Sequence, residues 1–113
     1  GLDFKNINDK NFRAAFDTCD RIESEEGVRV CYGGVAVLVY AYLSDLSEMA
    51  SACENGSSMN LWKECFNQVA LRIRRRDPGH VTRAVQFCNF IREPFGESCK
   101  NSVANDPWFI GDD

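Results

Sequence analysis

Six cysteines, Cys19, Cys31, Cys53, Cys65, Cys88 and Cys99, constrain this 113-residue chain more than any other feature. Their spacing is regular. Cys19 to Cys53 is 34 positions, Cys53 to Cys88 is 35, and Cys31 to Cys65 and Cys65 to Cys99 are 34 each. A period of this size is the mark of a repeated supersecondary unit. An even, dense set of cysteines in a short chain reads as disulfides and an oxidising, extracellular setting. There is no C-x-x-C pair, and His80 is the single histidine. A structural zinc site wants close ligand pairs, so no metal is expected.

The apolar pattern between the cysteines is helical almost throughout. Phe12, Ala15, Phe16, Cys19 and Ile22 predict a first helix over about 9–23, ended by Ser24-Glu25-Glu26-Gly27. Cys31, Val35, Leu38, Tyr42, Leu46, Met49 and Cys53 hold one phase, which predicts one long helix. Ala36, Tyr40 and Leu43 give it a second apolar face and a central place. Asn55-Gly56-Ser57-Ser58 breaks the chain. Leu61, Trp62, Cys65, Phe66, Val69 and Ile73 define a third helix, and Val81, Ala84, Val85, Cys88 and Ile91 a fourth. Asp77-Pro78-Gly79 lies between them, either as a turn or as a kink in one longer helix. A short helix is expected over 96–104, and the tail bearing Trp108, Phe109 and Ile110 is expected to dock on the core. The fold class is therefore all-α. Four to five helices form a compact, disulfide-stapled bundle over a single domain, 1–113, with three helix-loop-helix repeats of about 34 residues as the organisation the spacing favours.

The pairing follows from the breaks. In an antiparallel helix hairpin, residues equidistant from the turn face one another. The midpoint of Cys19 and Cys31 is Glu25, that of Cys53 and Cys65 is Met59, and that of Cys88 and Cys99 falls between Glu93 and Pro94. All three centres lie at or beside break signals, so the expected bonds are Cys19–Cys31, Cys53–Cys65 and Cys88–Cys99. Cys65–Cys88 stays open as a rival, because it is centred on Arg76-Asp77. Cys31–Cys53 does not, since one helix would hold those residues about 33 Å apart.

Bulk composition agrees with a globular fold, at 44% apolar residues and a net charge of −4. The longest apolar run, Val35 to Leu43, is too short to span a bilayer. No signal peptide is visible, so the chain reads as a mature form. Charge is unevenly placed. Acid collects at Asp17, Asp20, Glu23, Glu25 and Glu26, and again at Asp112 and Asp113, whereas four arginines lie within Arg72–Arg76.

Few residues point to chemistry. His80 sits near a helix start with no nucleophile motif beside it, and reads as a surface or capping histidine. Cys31-Tyr32-Gly33-Gly34 resembles the calcium loop of secreted phospholipases A2, but the Cys-Cys and His-Asp pairs that family needs are missing from Leu43 to Cys53. The cysteine spacings of insect odorant-binding proteins and saposins are also missing. Arg72, Arg74, Arg75 and Arg76, with Arg83, form a candidate patch for an anionic glycan, a lipid headgroup or an acidic receptor surface. They also fit simple complementation of a helix C-terminus. Asn55-Gly56-Ser57 is an N-glycosylation sequon. Eight phenylalanines are expected chiefly to pack the core, with an apolar ligand cavity as the less common use. No catalytic residue, cofactor or nucleic-acid partner is expected. The reading is a secreted, non-enzymatic interaction protein, an extracellular effector, signal or toxin-like chain, that binds a protein receptor or channel through a rigid helical surface. An extracellular carrier of a lipid or small hydrophobic ligand is the alternative.

Overall fold

A computed structural model describes residues 12–77 and 80–106. The tail with Trp108, Phe109 and Ile110, the acidic Asp112 and Asp113, Phe4, Pro78-Gly79 and the His80 side chain fall outside the described parts. Six α-helices occur among the described residues: α1 (Arg13–Asp20), α2 (Glu25–Tyr42), α3 (Leu46–Cys53), α4 (Trp62–Arg76), α5 (His80–Asn89) and α6 (Phe95–Ala104). A 3-10 turn, Met59–Leu61, leads into α4. No strand occurs among them.

That is one helix more than the apolar phase predicts. The run from Cys31 to Cys53 is two helices, because Leu43 is extended (φ −119°, ψ 148°) and Asp45 starts a new one. The Asp45 carboxylate accepts hydrogen bonds from the Ser47 backbone N–H at 2.9 Å and the Ser47 hydroxyl at 3.0 Å. Such a cap satisfies an orphan donor that a continuous helix would not have. Ser24 does the same for α2, accepting from Gly27 N–H at 3.1 Å, with Glu25 and Glu26 in the first turn. α4 ends at Arg76, and Asp77 is extended. α5 packs along α4, so the chain turns back between them and does not continue as a kinked helix.

The disulfides are Cys19–Cys31, Cys53–Cys65 and Cys88–Cys99. Each joins the end of a helix to the early turns of the next. They define three clipped hairpins: α1–α2, α3–α4 and α5–α6.

The hairpins stack in register. Arg29 on α2 reaches Glu64 on α4 at 3.8 Å, Gly33 faces Gln68, and the Tyr40 hydroxyl donates to Asp77. The offsets are 35, 35 and 37, close to the sequence period, so α2 and α4 run parallel. α4 and α6 also run parallel, since Phe66 stacks beside Phe95 with centroids 5.8 Å apart and Arg74 bonds the Val103 carbonyl at 2.6 Å. The clipped loops follow the same order. Asp20 accepts from the Ser57 hydroxyl at 2.6 Å in the next hairpin's loop, and Glu54 takes Arg92 at 3.2 Å in the one after. Asp20 and Glu54 are 34 positions apart, each directly after a bridging cysteine.

One continuous cluster of buried side chains runs through the stack. Phe12, Phe16 and Tyr32 fill the first hairpin, Phe66, Val69 and Ile73 the second, and Phe87 and Val103 the third, all below 2% exposed. Tyr32 carries a polar tip into this core. It donates to Asp20 at 2.8 Å and accepts from Ser58 N–H at 3.2 Å. Gly56 completes the contact, because a Cβ there would meet the Tyr32 ring at 2.5 Å.

Candidate interaction surface

Among the described residues three groups have displaced acid–base behaviour, and each displacement has a structural cause. Burial, ahead of its hydrogen bonds, raises the Tyr32 phenol. Burial and then the Asp77 carboxylate push Tyr40 up to about 12. The hydrogen-bonded Asp106 carboxylate raises Arg75. None of these moves toward neutral pH, where a general acid or base would have to titrate. Among the described residues no cluster of His, Cys, Asp and Glu side chains is placed to hold a metal ion.

The arginines separate into two groups. Arg74 is buried and spans the α4–α6 junction, with bonds to the carbonyls of Val103 (2.6 Å) and Asp106 (3.3 Å). Arg75 grips Asp106 with a two-pronged bond at 3.0 and 2.7 Å. Arg83 donates to Asp77 at 2.8 Å and to the Ser44 carbonyl at 3.2 Å. These three arginines join elements of the fold. Arg72 and Arg76 make no hydrogen bond or ion pair with a described residue. With Gln68 and the edge of Arg75, they line a surface recess of about 380 Å³. The five-arginine patch is thus a two-arginine recess beside a structural clamp.

Asn55 lies just past α3 and is part-buried. Its amide donates to the Ala52 carbonyl at 3.0 Å, while Ser57 is engaged by Asp20. Both polar ends of the sequon have partners within the fold.

A surface groove lies where the α2–α3 junction meets α5. It has a volume of about 510 Å³ and is lined by Ser44, Asp45, Leu46, Arg83, Gln86, Asn89 and Phe90. Its position follows from local structure. The cap at Asp45 turns the chain outward after Tyr42, leaving the Ser44 carbonyl for Arg83. Arg83, Gln86 and Asn89 recur every three residues along α5, so they share one side of the helix. Phe90 follows the last turn and is 56% exposed. Asn89 occupies the position after a bridging cysteine that Asp20 and Glu54 occupy in the earlier hairpins. In the third hairpin that position lines the groove.

The residue pattern alone places Phe90 with the core aromatics and does not single out Gln86 or Asn89. A signal was present: Cys19-Asp20, Cys53-Glu54 and Cys88-Asn89 recur at the cysteine period. The third member, Asn89, breaks the acidic pattern. No protein-family model, curated protein sequence or solved structure matches this chain.

Proposed function

We propose that this chain is a secreted, non-enzymatic interaction protein that engages an extracellular protein, a receptor or channel, through the groove headed by Phe90. The observation that carries the reading is an aromatic ring 56% exposed among hydrogen-bonding side chains on a clipped scaffold. A central aromatic with arginine and amide neighbours is the composition of an interface anchor. The clips support it further, because a surface ordered during folding loses less entropy on binding. Three disulfides fit an oxidising compartment and hence an extracellular site of action. No helix among the described residues is long and apolar enough to cross a membrane, which fits a chain that acts from outside. The partner presents an apolar side chain to Phe90 and hydrogen-bonding groups to Gln86 and Asn89.

The test is saturable binding of fluorescently labelled protein to intact cells, competed by unlabelled protein. Phe90→Asp is expected to weaken it at least about tenfold, as loss of an interface anchor does. Its circular dichroism and unfolding midpoint should match the parent, because Phe90 is exposed. Specific binding with an unchanged Kd in Phe90→Asp refutes the groove as the contact.

A further inference from the structure

Arg72 and Arg76 differ from the arginines around them. Arg29, Arg74, Arg75, Arg83 and Arg92 each reach a carboxylate. Arg72 and Arg76 reach none among the described residues, although acids outnumber bases in the chain by 17 to 13. They stand one turn apart on one side of α4, about 6 Å along its axis, with Gln68 a turn below. Two like charges at that spacing weaken a helix. Complementing the helix dipole accounts for Arg76 but not for Arg72, which precedes the last turn, where that effect is confined. Arg72 is also half-buried, and so partly withdrawn from the water that would solvate it.

The surroundings of this pair are fixed in place. Gln68 packs on Gly33 of α2, where an added Cβ would lie 3.4 Å from its Cγ. Arg75 is held by its two-pronged bond to Asp106. Asp106 is itself taken up by Arg74 and Arg75. No acid occurs from Cys65 to Arg76 or from Val30 to Tyr42, so neither α4 nor the facing part of α2 brings a carboxylate to the site. The recess of about 380 Å³ that these side chains line is concave, basic and formed before any ligand arrives. Its volume lies within the range of roughly 300–1,000 Å³ of small-molecule sites.

We infer that this recess binds a tetrahedral oxyanion ester, the sulfate of an extracellular sulfated glycan, with Arg72 and Arg76 on the oxyanion and Gln68 on a neighbouring sugar hydroxyl. A carboxylate has two oxygens and is satisfied by one guanidinium fork. A sulfate or phosphate monoester has three free oxygens, enough to bridge two forks one turn apart. A lone inorganic ion fills only part of the recess and leaves Gln68 without a ligand, whereas a sulfated sugar unit engages both ends. The compartment selects sulfate over a phospholipid headgroup. Three disulfides fit an extracellular site, and anionic phospholipids belong to the cytoplasmic leaflet. This choice takes the extracellular setting from the reading above and takes nothing from the Phe90 groove.

Titration of the disulfide-bonded chain with a heparin hexasaccharide at low ionic strength, followed by backbone amide chemical shifts, is the test. Saturable shifts are expected at Gln68, Arg72, Arg75 and Arg76, and none with the desulfated hexasaccharide. Kd should rise with added salt, as exposed charges are screened. Arg72→Gln and Arg76→Gln should each weaken binding at least about tenfold, the loss of a charge-assisted hydrogen bond, with parent-like circular dichroism. Lys63→Gln, which removes an exposed cation near the start of the same helix, should leave Kd unchanged. An unchanged Kd in both arginine variants, shifts spread over all the exposed cations, or no saturable binding overturns the assignment. So does binding of inorganic phosphate, a polyglutamate peptide or mixed phosphatidylcholine–phosphatidylserine vesicles as tight as that of the hexasaccharide, because each is a ligand of another class. Phe90→Asp should bind the hexasaccharide as the parent does, so the recess and the groove stand or fall separately.

Discussion

Replacing Asp106 by asparagine should destabilise the fold far more than a single change at the surface. The Asp106 side chain is fully buried and closes a clamp over two arginines, Arg75 at 2.7 Å and Arg74 at 3.8 Å. Asparagine keeps the shape and one acceptor oxygen but removes the charge. Removing one partner of a buried ion pair typically costs about 3–5 kcal/mol, because the other charge stays behind unbalanced. Here the figure is reduced on one side. Arg75 is 32% exposed and can recover hydration, whereas Arg74 is only 10% exposed and cannot. The expected loss is about 2–4 kcal/mol, a large part of the 5–15 kcal/mol typical of a domain. Urea unfolding followed by circular dichroism reads it directly as a midpoint lowered by roughly 2 M, with the slope unchanged. Arg72→Gln, in the same sequence cluster, should shift stability by no more than about 0.5 kcal/mol. A double cycle of Asp106→Asn with Arg75→Gln should show coupling, because the two side chains share one contact. If Asp106→Asn unfolds within about 0.5 kcal/mol of the parent, or Arg72→Gln costs as much, the division into clamp and recess is wrong.

Two further outcomes follow from the packing. The folded-state pKa of Tyr40 is about 12, above the value near 10 of an unfolded tyrosine, so its contribution is complete below pH 10 and is lost as pH rises through about 12. Thermal unfolding should fall across that window, and Tyr40→Phe should flatten the fall. Gly56→Ala should lose about 1–3 kcal/mol, because the added methyl meets the Tyr32 ring while Trp62 holds the Gly56 carbonyl at 2.6 Å. A parent-like urea midpoint would show that the loop gives way freely.

The parts of this fold that the sequence discloses are those with local signals. Each cysteine pair is centred on a break that glycine, proline or serine marks independently, so pairing and period can be read together. The helix break after Tyr42 is not legible in the same way. Leu43 and Leu46 keep the apolar phase across it, and Ser44-Asp45 is a short polar interruption that only the Asp45 cap makes decisive. The fate of the arginines is hidden for a different reason. Asp106 lies 31 positions from Arg75, and α4 and α6 must stack before a lone acid in a loop becomes the clamp. Phe90 is the converse case. Its aromatic character implies burial, and its place just past the clipped end of α5 leaves it in solvent. The second apolar face read for this helix, Ala36, Tyr40 and Leu43, is largely buried, and the bare side of α2, Val30, Gly34, Val37 and Ala41, carries no signal that sets it apart. Its exposure depends on α2 being the terminal helix of the parallel row, which the hairpin count alone does not decide.

The stack of three clipped hairpins is what places the Phe90 groove at the junction of α2, α3 and α5. Non-reducing proteolysis with mass spectrometry of the linked peptides tests it most directly. Three species are expected, carrying Cys19–Cys31, Cys53–Cys65 and Cys88–Cys99, each of which closes a loop of 11 or 12 positions and in the chain-entropy model is worth about 3 kcal/mol. Recovery of a peptide joining Cys65 to Cys88 as the major species contradicts it. That bond would tie α4 to α5 across their turn and leave Cys53 and Cys99 without the hairpin partners on which the stack depends.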